Sequence, residues 1–347
     1  MKKLRLLLII LAGFIYFDVF YFQVSNDNIL VHEEKKNLFN TTLYAVISVD
    51  LDTDLDFYYF YLPITCLSWR LINYEPIVLA VTSKLTSSND LAQKTLEYLR
   101  LLKIKIFFIQ SVDYYEKMTG MLSRLFIGLL DDNEITDECL LFQTDSDLLP
   151  INKNFYQKID KSDSIKLLDV SSFQSPIGKF KYKNKDYEMF YMCHIGMTKR
   201  QWRKIMNLEN SNYKFDGKSI LRLVEEFYDS SKLRINDQIA RGDDVWFMDQ
   251  SILSVKIANY LKQNKHNRMH IKLSQGIKLD RIWSDKKWLD TFNNKFESIN
   301  DVHLFHENYI QKLNFLNLLL KRMFSIDQKS ILEKYINEFM IIKNSTF

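Results

Sequence analysis

The chain has 347 residues, of which 47% are hydrophobic and 14% aromatic, with only 8 Gly and 4 Pro. This length and composition support a sizeable core, in one large domain or two smaller ones, and leave little of the chain for linkers. The 47 basic and 43 acidic residues nearly balance, and without a basic block the sequence has no electrostatic footprint for binding nucleic acid.

The N-terminus has the pattern of a membrane anchor. Basic residues precede an apolar segment, and a helix from Leu4 to Phe22 would rise about 28 Å, close to the roughly 30 Å of a hydrocarbon core. No small-residue cleavage site follows, which favours a retained signal anchor over a removed signal peptide. We therefore expect a cytosolic tail over residues 1–5, a transmembrane helix over 6–24 and a lumenal location for the rest.

Two further features bear on a lumenal chain. Residues 25–42 are polar and mixed in charge, as in a short stem, and sequons occur at Asn40-Thr41-Thr42 and Asn344-Ser345-Thr346. The cysteines have no metal-ligand spacing, and their number allows one disulfide without implying it. They are Cys66, Cys139 and Cys193.

Strand-like and helix-like segments alternate between residues 43 and 150. Apolar runs typical of buried strands begin at Leu43, Pro76, Lys105 and Cys139, and segments with apolar residues at helical spacing separate them. This alternation indicates an α/β fold with a parallel, Rossmann-like sheet and flanking helices. No Gly-x-Gly-x-x-Gly follows the first strand and no P-loop is present, which disfavours a dinucleotide-binding dehydrogenase and a P-loop NTPase.

An acidic stretch, Asp50–Asp56, follows the first strand. Its alternating carboxylates resemble the opening of an EF-hand loop. However, Leu55 stands where the loop needs Gly, and Tyr61 where it needs a bidentate Glu, so a calcium site is rejected. We expect a loop whose last residue, Asp56, caps the next helix.

The fourth strand ends in two carboxylates. Asp145 and Asp147 follow the apolar run Cys139–Gln143, and a side-chain period of two places both on the same side of an extended backbone. Two carboxylates at a strand's carboxyl end suit a divalent cation that carries a diphosphate. The alternative interpretation is an acidic turn that only closes the strand.

In its helix-then-strand context, this motif resembles the Asp-x-Asp signature of GT-A glycosyltransferases, nucleotide-diphospho-sugar transferases that include type II membrane proteins of the Golgi and ER. The resemblance implies a GT-A fold with a nucleotide-sugar-binding half over 43–150, an acceptor-binding half over 151–307 and C-terminal helices over 308–347. It further implies Mn²⁺ or Mg²⁺ held by Asp145 and Asp147, a UDP- or GDP-sugar donor, and a glycan, protein or lipid acceptor.

The resemblance extends to residues on both sides of the motif. On the donor side it implies that Ser48 and Arg124 face the nucleotide and its diphosphate, although Arg124 also suits a solvated helix surface. On the acceptor side it implies that Gly196 lets a sugar approach the strand backbone and that Trp202, on the following helix, binds substrate. The strand is predicted over residues 190–197 and also contains His194, which is interpreted as a hydrogen-bonded strand histidine rather than a catalytic group.

Asp243 and Asp244 stand at the start of a predicted helix that runs from Val245 to about Leu261. One interpretation is a favourable N-cap, since carboxylates stabilise helix N-termini. The other is that the segment resembles the acidic region of inverting GT-A enzymes, in which an acid deprotonates the acceptor hydroxyl. Asp249, followed by Gln, resembles instead the substrate-binding Asp-Gln of retaining enzymes, so the stereochemistry stays open.

A late histidine completes the predicted metal site. Several GT-A enzymes bind Mn²⁺ with a histidine near the C-terminus. In an extended segment Asp301 and His303 share one side and His306 faces the other, so His303 is favoured, with His306 as the alternative. The function expected from these resemblances is metal-dependent glycosyl transfer by a single-pass membrane protein of the Golgi or ER. The alternative is a catalytically inactive GT-A-like protein that binds glycans or partners.

Overall fold

A computed structural model describes residues 42–52, 55–83, 89–157, 165–169, 178–209, 212–239, 245–264, 269–273, 276–306 and 308–345. The predicted cytosolic tail, the predicted transmembrane helix and nearly all of the predicted stem lie outside these ranges. In the part of the chain that is described, no helix is both long enough and apolar enough to cross a membrane.

The described residues include twelve strands, numbered along the chain. They are β1 (Leu43–Asp50), β2 (Glu75–Thr82), β3 (Lys105–Gln110), β4 (Leu140–Thr144), β5 (Leu148–Pro150), β6 (Ile165–Asp169), β7 (Gly178–Tyr182), β8 (Lys185–Met189), β9 (Ile195–Thr198), β10 (Met269–Leu273), β11 (Ile277–Leu279) and β12 (Ile299–His303).

Ten α-helices accompany the strands in the same ranges. They are α1 (Asp56–Leu71), α2 (Asp90–Leu101), α3 (Glu116–Ser123), α4 (Lys153–Gln157), α5 (Lys199–Met206), α6 (Gly217–Phe227), α7 (Met248–Gln263), α8 (Asp285–Lys295), α9 (Leu313–Met323) and α10 (Ile326–Ser345). Two 3-10 helices, Arg124–Leu129 and Met192–His194, contribute to the site.

A seven-stranded sheet with the order β10-β6-β9-β4-β1-β2-β3 lies at the centre of the fold. Neighbouring strands are parallel except for β9, which runs antiparallel to both β4 and β6. The prediction of an α/β fold with a mostly parallel sheet is therefore confirmed. Strands from both predicted halves, 43–150 and 151–307, belong to this one sheet.

The apolar runs of the sequence become strands with two buried faces. Along β1, Ala45 and Ile47 pack into one apolar core, whereas Tyr44 and Val46 pack into a second core on the opposite face. This alternation follows from the side-chain period of two in a strand. A strand covered on both faces reads as continuously apolar, which explains why β1 was detectable in the sequence.

A small second sheet brings distant parts of the chain together. β12 pairs antiparallel with β5, with His303 opposite Leu148, and β11 pairs parallel with β12. The backbone N–H of Leu304 also donates to the carbonyl of Asp147 at 2.8 Å. The late histidines are thereby held beside the end of the Asp-x-Asp motif.

The prediction that Asp56 caps α1 is wrong. The N-cap residue is Leu55, and the helix begins at Asp56 itself. The buried Asp56 carboxylate accepts a hydrogen bond from the Tyr309 hydroxyl at 2.9 Å and pairs with the Lys343 ammonium. This carboxylate links α1 to the C-terminal part of the chain rather than stabilising free backbone N–H groups.

Gly196 and Trp202 contact residues of the core, and their predicted contact with substrate stays a prediction. A Cβ on Gly196 would lie 2.7 Å from Cδ2 of Phe142, so the glycine makes room for a buried ring. Trp202 is fully buried, and its indole N–H donates to the carbonyl of Leu141 at 3.1 Å.

We expect Gly196→Ala to lower the free energy of unfolding by about 1–3 kcal/mol, because the added methyl overpacks against Phe142. Gly178→Ala is the matched control, since Gly178 also lies in a strand and a Cβ there would meet nothing within 4 Å. Chemical denaturation measures both effects. Equal stabilities of the two variants would contradict this account of Gly196.

Candidate functional site

A pocket of about 280 Å³ opens at the carboxyl ends of β1 and β4. Parallel strands present their carboxyl ends at one edge of the sheet, where open α/β folds bind ligands. Polar side chains from separate parts of the chain line it, among them Ser48, Arg124, Asp145, Asp147, Lys278 and His303. The pocket therefore contains several of the residues that the sequence predicts to be functional.

Asp147, His303 and His306 form a compact group of possible metal ligands. Each offers one ligand atom, and these atoms all lie within 4.8 Å of one another. His303 Nε2 is 3.3 Å from Asp147 Oδ2, and His306 Nε2 contacts the same oxygen. One carboxylate and two imidazoles suit a first-row transition ion better than Mg²⁺, which prefers oxygen ligands.

Asp147 is buried, and its surroundings favour the ionised form of its carboxyl group. Its exposed fraction is 2%. Burial raises the pKa of its carboxyl, but the facing His303 and His306 outweigh burial and hold that pKa well below its ordinary value. The turn that carries Asp147 is fixed from α1, because the Thr65 hydroxyl donates to the carbonyl of Ser146.

Asp145 lies outside this ligand group, although the sequence predicts it as a second metal ligand. Its Oδ1 accepts a hydrogen bond from the Arg124 guanidinium at 2.6 Å. Arg124 also donates through Nε to Asp249 Oδ2 at 2.9 Å, and its Nη2 contacts the same oxygen. A guanidinium held by two carboxylates is thus fixed in the wall of the pocket.

Asp249 is not among the residues that line the pocket, and its contact with substrate stays a prediction. Its side chain is fully buried. Burial raises the pKa of its carboxyl, and Arg124 opposes that shift. The role that the geometry gives Asp249 is to orient Arg124.

Ser48 lines the pocket at the end of β1, where the sequence predicts a nucleotide-binding residue. Its hydroxyl donates to the Gly120 carbonyl at 2.7 Å and lies 2.6 Å from the Ser123 Oγ. These contacts join β1 to α3, so Ser48 shapes the wall. Contact with a nucleotide stays a prediction.

Asp243 and Asp244, the predicted catalytic acids, lie outside the described residues. The neighbouring helix α7 begins at Met248 rather than at the predicted Val245. Trp246, which lies between Asp244 and the start of α7 in the sequence, lines the pocket. Roles for Asp243 and Asp244 therefore stay predictions.

Arg281 and Lys278 belong to the site but are not among the residues predicted from the sequence. Nη1 of Arg281 contacts Asp147 Oδ2 and Nε2 of both histidines, so the guanidinium neutralises the buried carboxylate. Lys278 also lines the pocket. A signal was present in the segment Lys278-Leu279-Asp280-Arg281, where three of four residues are charged at the end of a short strand.

No protein-family model matches the chain, and no curated protein matches it. Among solved structures, it is similar to a glycosyltransferase involved in the glycosylation of the major capsid of PBCV-1, with 9% identity, a TM-score of 0.37 and coverage of 80% of this chain and 99% of the other. It is also similar to the PaToxG glycosyltransferase, with 10% identity, a TM-score of 0.32 and 86% coverage of both chains. Similarity at this level establishes neither a common fold nor a common activity, so a functional conclusion has to rest on the pocket.

Proposed function

We propose that the protein is a metal-dependent glycosyltransferase that moves a sugar from a nucleotide-diphosphate sugar to a glycan, protein or lipid acceptor. The observation that carries the proposal is the convergence of Asp147, His303 and His306 beside Arg124, in a pocket at the carboxyl edge of the parallel strands. This arrangement supports the proposal, because a group of possible metal ligands beside a fixed guanidinium suits the binding of a diphosphate.

In this proposal Asp147, His303 and His306 hold Mn²⁺. When bound, the ion supplies Lewis-acid stabilisation of the negative charge that develops on the leaving nucleoside diphosphate. Arg124 donates hydrogen bonds to the same diphosphate, and its pairing with the buried Asp249 keeps it oriented before the substrate arrives. Asp145, which is partly exposed, accepts hydrogen bonds from the ribose.

Arg281 has to leave the ligand group when an ion binds there. Its side chain is long and 18% exposed, so it can turn towards the pocket without unfolding the loop that carries it. We infer that it then contributes a second guanidinium to the diphosphate.

If transfer inverts the sugar configuration, Asp243 or Asp244 takes the proton of the acceptor hydroxyl. Anchoring in the Golgi or ER membrane through residues 6–24 is part of the same proposal.

One observation favours the alternative function. Arg281 already supplies a positive charge among Asp147, His303 and His306. A GT-A-like protein in which this arginine permanently takes the place of an ion would bind glycans or partners without catalysing transfer.

Calorimetric titration of UDP and GDP into the purified chain, with and without Mn²⁺, separates the two functions. We expect Mn²⁺ to tighten the binding of one nucleotide by at least about tenfold, or about 1.4 kcal/mol. Equal binding with and without Mn²⁺ would contradict the metal dependence. Binding of neither nucleotide would contradict the glycosyltransferase proposal and support the alternative function.

A further inference from the structure

A cysteine, a histidine, an aspartate and a tyrosine form a linked group beside the pocket. Sγ of Cys193 lies 3.1 Å from Nδ1 of His194. Nε2 of the same imidazole lies 3.3 Å from Oδ2 of Asp301 and 3.2 Å from the Tyr156 hydroxyl, which itself donates to Asp301 at 3.0 Å. The contacts therefore run from a thiol through an imidazole to a carboxylate.

The local backbone gives the two neighbouring residues different environments. Cys193 and His194 lie in the 3-10 helix Met192–His194, in which successive side chains point about 120° apart. Cys193 is 8% exposed and lines the pocket. His194 is buried among Phe142, Tyr156 and Asp301. Only the sulfur end of the group is thus open to a small molecule.

Two groups that can carry positive charge, His194 and Lys278, interact with Cys193. Burial lowers the pKa of His194, but Cys193 and Asp301 outweigh burial and raise it to about 9. At neutral pH the imidazole then carries both protons and donates one of them towards the sulfur. Lys278, whose pKa is raised by Cys193 and Asp301 against the effect of burial, adds a second positive charge facing the thiol. Nearby cations stabilise a thiolate, which is the nucleophilic form of cysteine.

We propose that Cys193 is a nucleophile and a covalent modification site for small soft electrophiles that enter the pocket, with His194 and Asp301 as its positioning pair. With iodoacetamide as the probe, the sulfur forms a bond to the methylene carbon, the carbon–iodine bond breaks and iodide leaves. The imidazole stays in contact with the sulfur, and the proton of the thiol passes to solvent. This inference does not depend on the proposed sugar transfer, because it concerns only the reactivity of the thiol.

The chain contains its own matched control. Cys139 is 5% exposed, close to the 8% of Cys193, but its sulfur contacts the Thr136 hydroxyl at 3.4 Å and the Glu134 carbonyl at 3.6 Å instead of an imidazole. Cys66 is fully buried, and burial raises the pKa of its thiol. Selective reaction at Cys193 would therefore report its charged partners and not exposure alone.

The test is limited alkylation of the full chain with iodoacetamide, followed by peptide mass spectrometry. We expect Cys193 to react at least about tenfold faster than Cys139 at neutral pH. Equal rates for Cys193 and Cys139 would overturn the proposal.

A variant tests the positioning pair. His194→Asn retains an amide that can donate to the sulfur but removes the charge, so the Cys193 rate at neutral pH should fall by about tenfold or more. Reactivity at the parent level in this variant would rule out activation by His194. The comparison of Cys193 with Cys139 in the parent chain decides the proposal even if the variant does not fold.

Discussion

Asp147→Ala is expected to abolish Mn²⁺-dependent nucleotide binding and to lower the rate of sugar transfer by at least about a thousandfold, equivalent to about 4 kcal/mol. Asp147 supplies the only carboxylate in its ligand group, with His303 and His306 as the other members. Two imidazoles alone leave the charge of a divalent ion uncompensated. Calorimetry with Mn²⁺ alone, and then with nucleotide, measures the loss.

Asp290→Ala is the control for this variant, because Asp290 is an exposed carboxylate on α8. It should bind Mn²⁺ and nucleotide as the parent chain does. Thermal unfolding of both variants shows whether the fold is retained. Parent-level nucleotide affinity in a folded Asp147→Ala protein would remove Asp147 from the metal site.

Asp249→Leu is expected to lower the free energy of unfolding by about 3–5 kcal/mol, because it removes one partner of a buried ion pair. Arg124 would keep the partly exposed Asp145 as its one ion-pair partner among the described residues. Nucleotide affinity should fall as well, since Arg124 loses the contact that orients it. Denaturant titration and calorimetry measure the two effects separately.

The double variant Arg124→Met with Asp249→Leu separates stability from binding. Replacing both members of a buried ion pair with apolar residues is often close to neutral, so its stability should return to within about 1 kcal/mol of the parent. Its nucleotide affinity should stay low, because the guanidinium is gone. If the single variant Asp249→Leu were as stable as the parent chain, the Arg124–Asp249 pair would not support the fold.

The parallel part of the sheet was predictable because β1, β2 and β4 are buried on both faces and read as apolar runs. The segment around Gly196 was different. The sequence suggested one strand over 190–197, but the chain forms the 3-10 helix Met192–His194 before β9 begins. The direction of β9, antiparallel to its neighbours, is set by pairing with β4 and β6. This pairing leaves no pattern in the sequence of β9 itself.

The candidate site was predictable in residue type but not in geometry. The period-two argument placed Asp145 and Asp147 together because it assumed an extended backbone. The strand β4 ends at Thr144 and a turn follows, so one carboxylate meets Arg124 and the other meets the histidines.

The same assumption separated His303 from His306 in the sequence analysis. The strand β12 ends at His303, and the chain then bends, which returns His306 to the ligand group. Contacts of this kind depend on where strands end, and alternation of side chains within a strand says nothing about that.

The pairing of β5 with β12 has a consequence for how the protein is made. The ligands Asp147 and His303 are separated by roughly 150 residues, and closing a flexible loop of that length costs about 4 kcal/mol of chain entropy. During translation, a nascent chain that ends before β12 holds Asp147 without either histidine. The ion-binding group therefore cannot assemble until most of the chain has left the ribosome, and metal capture should coincide with late folding.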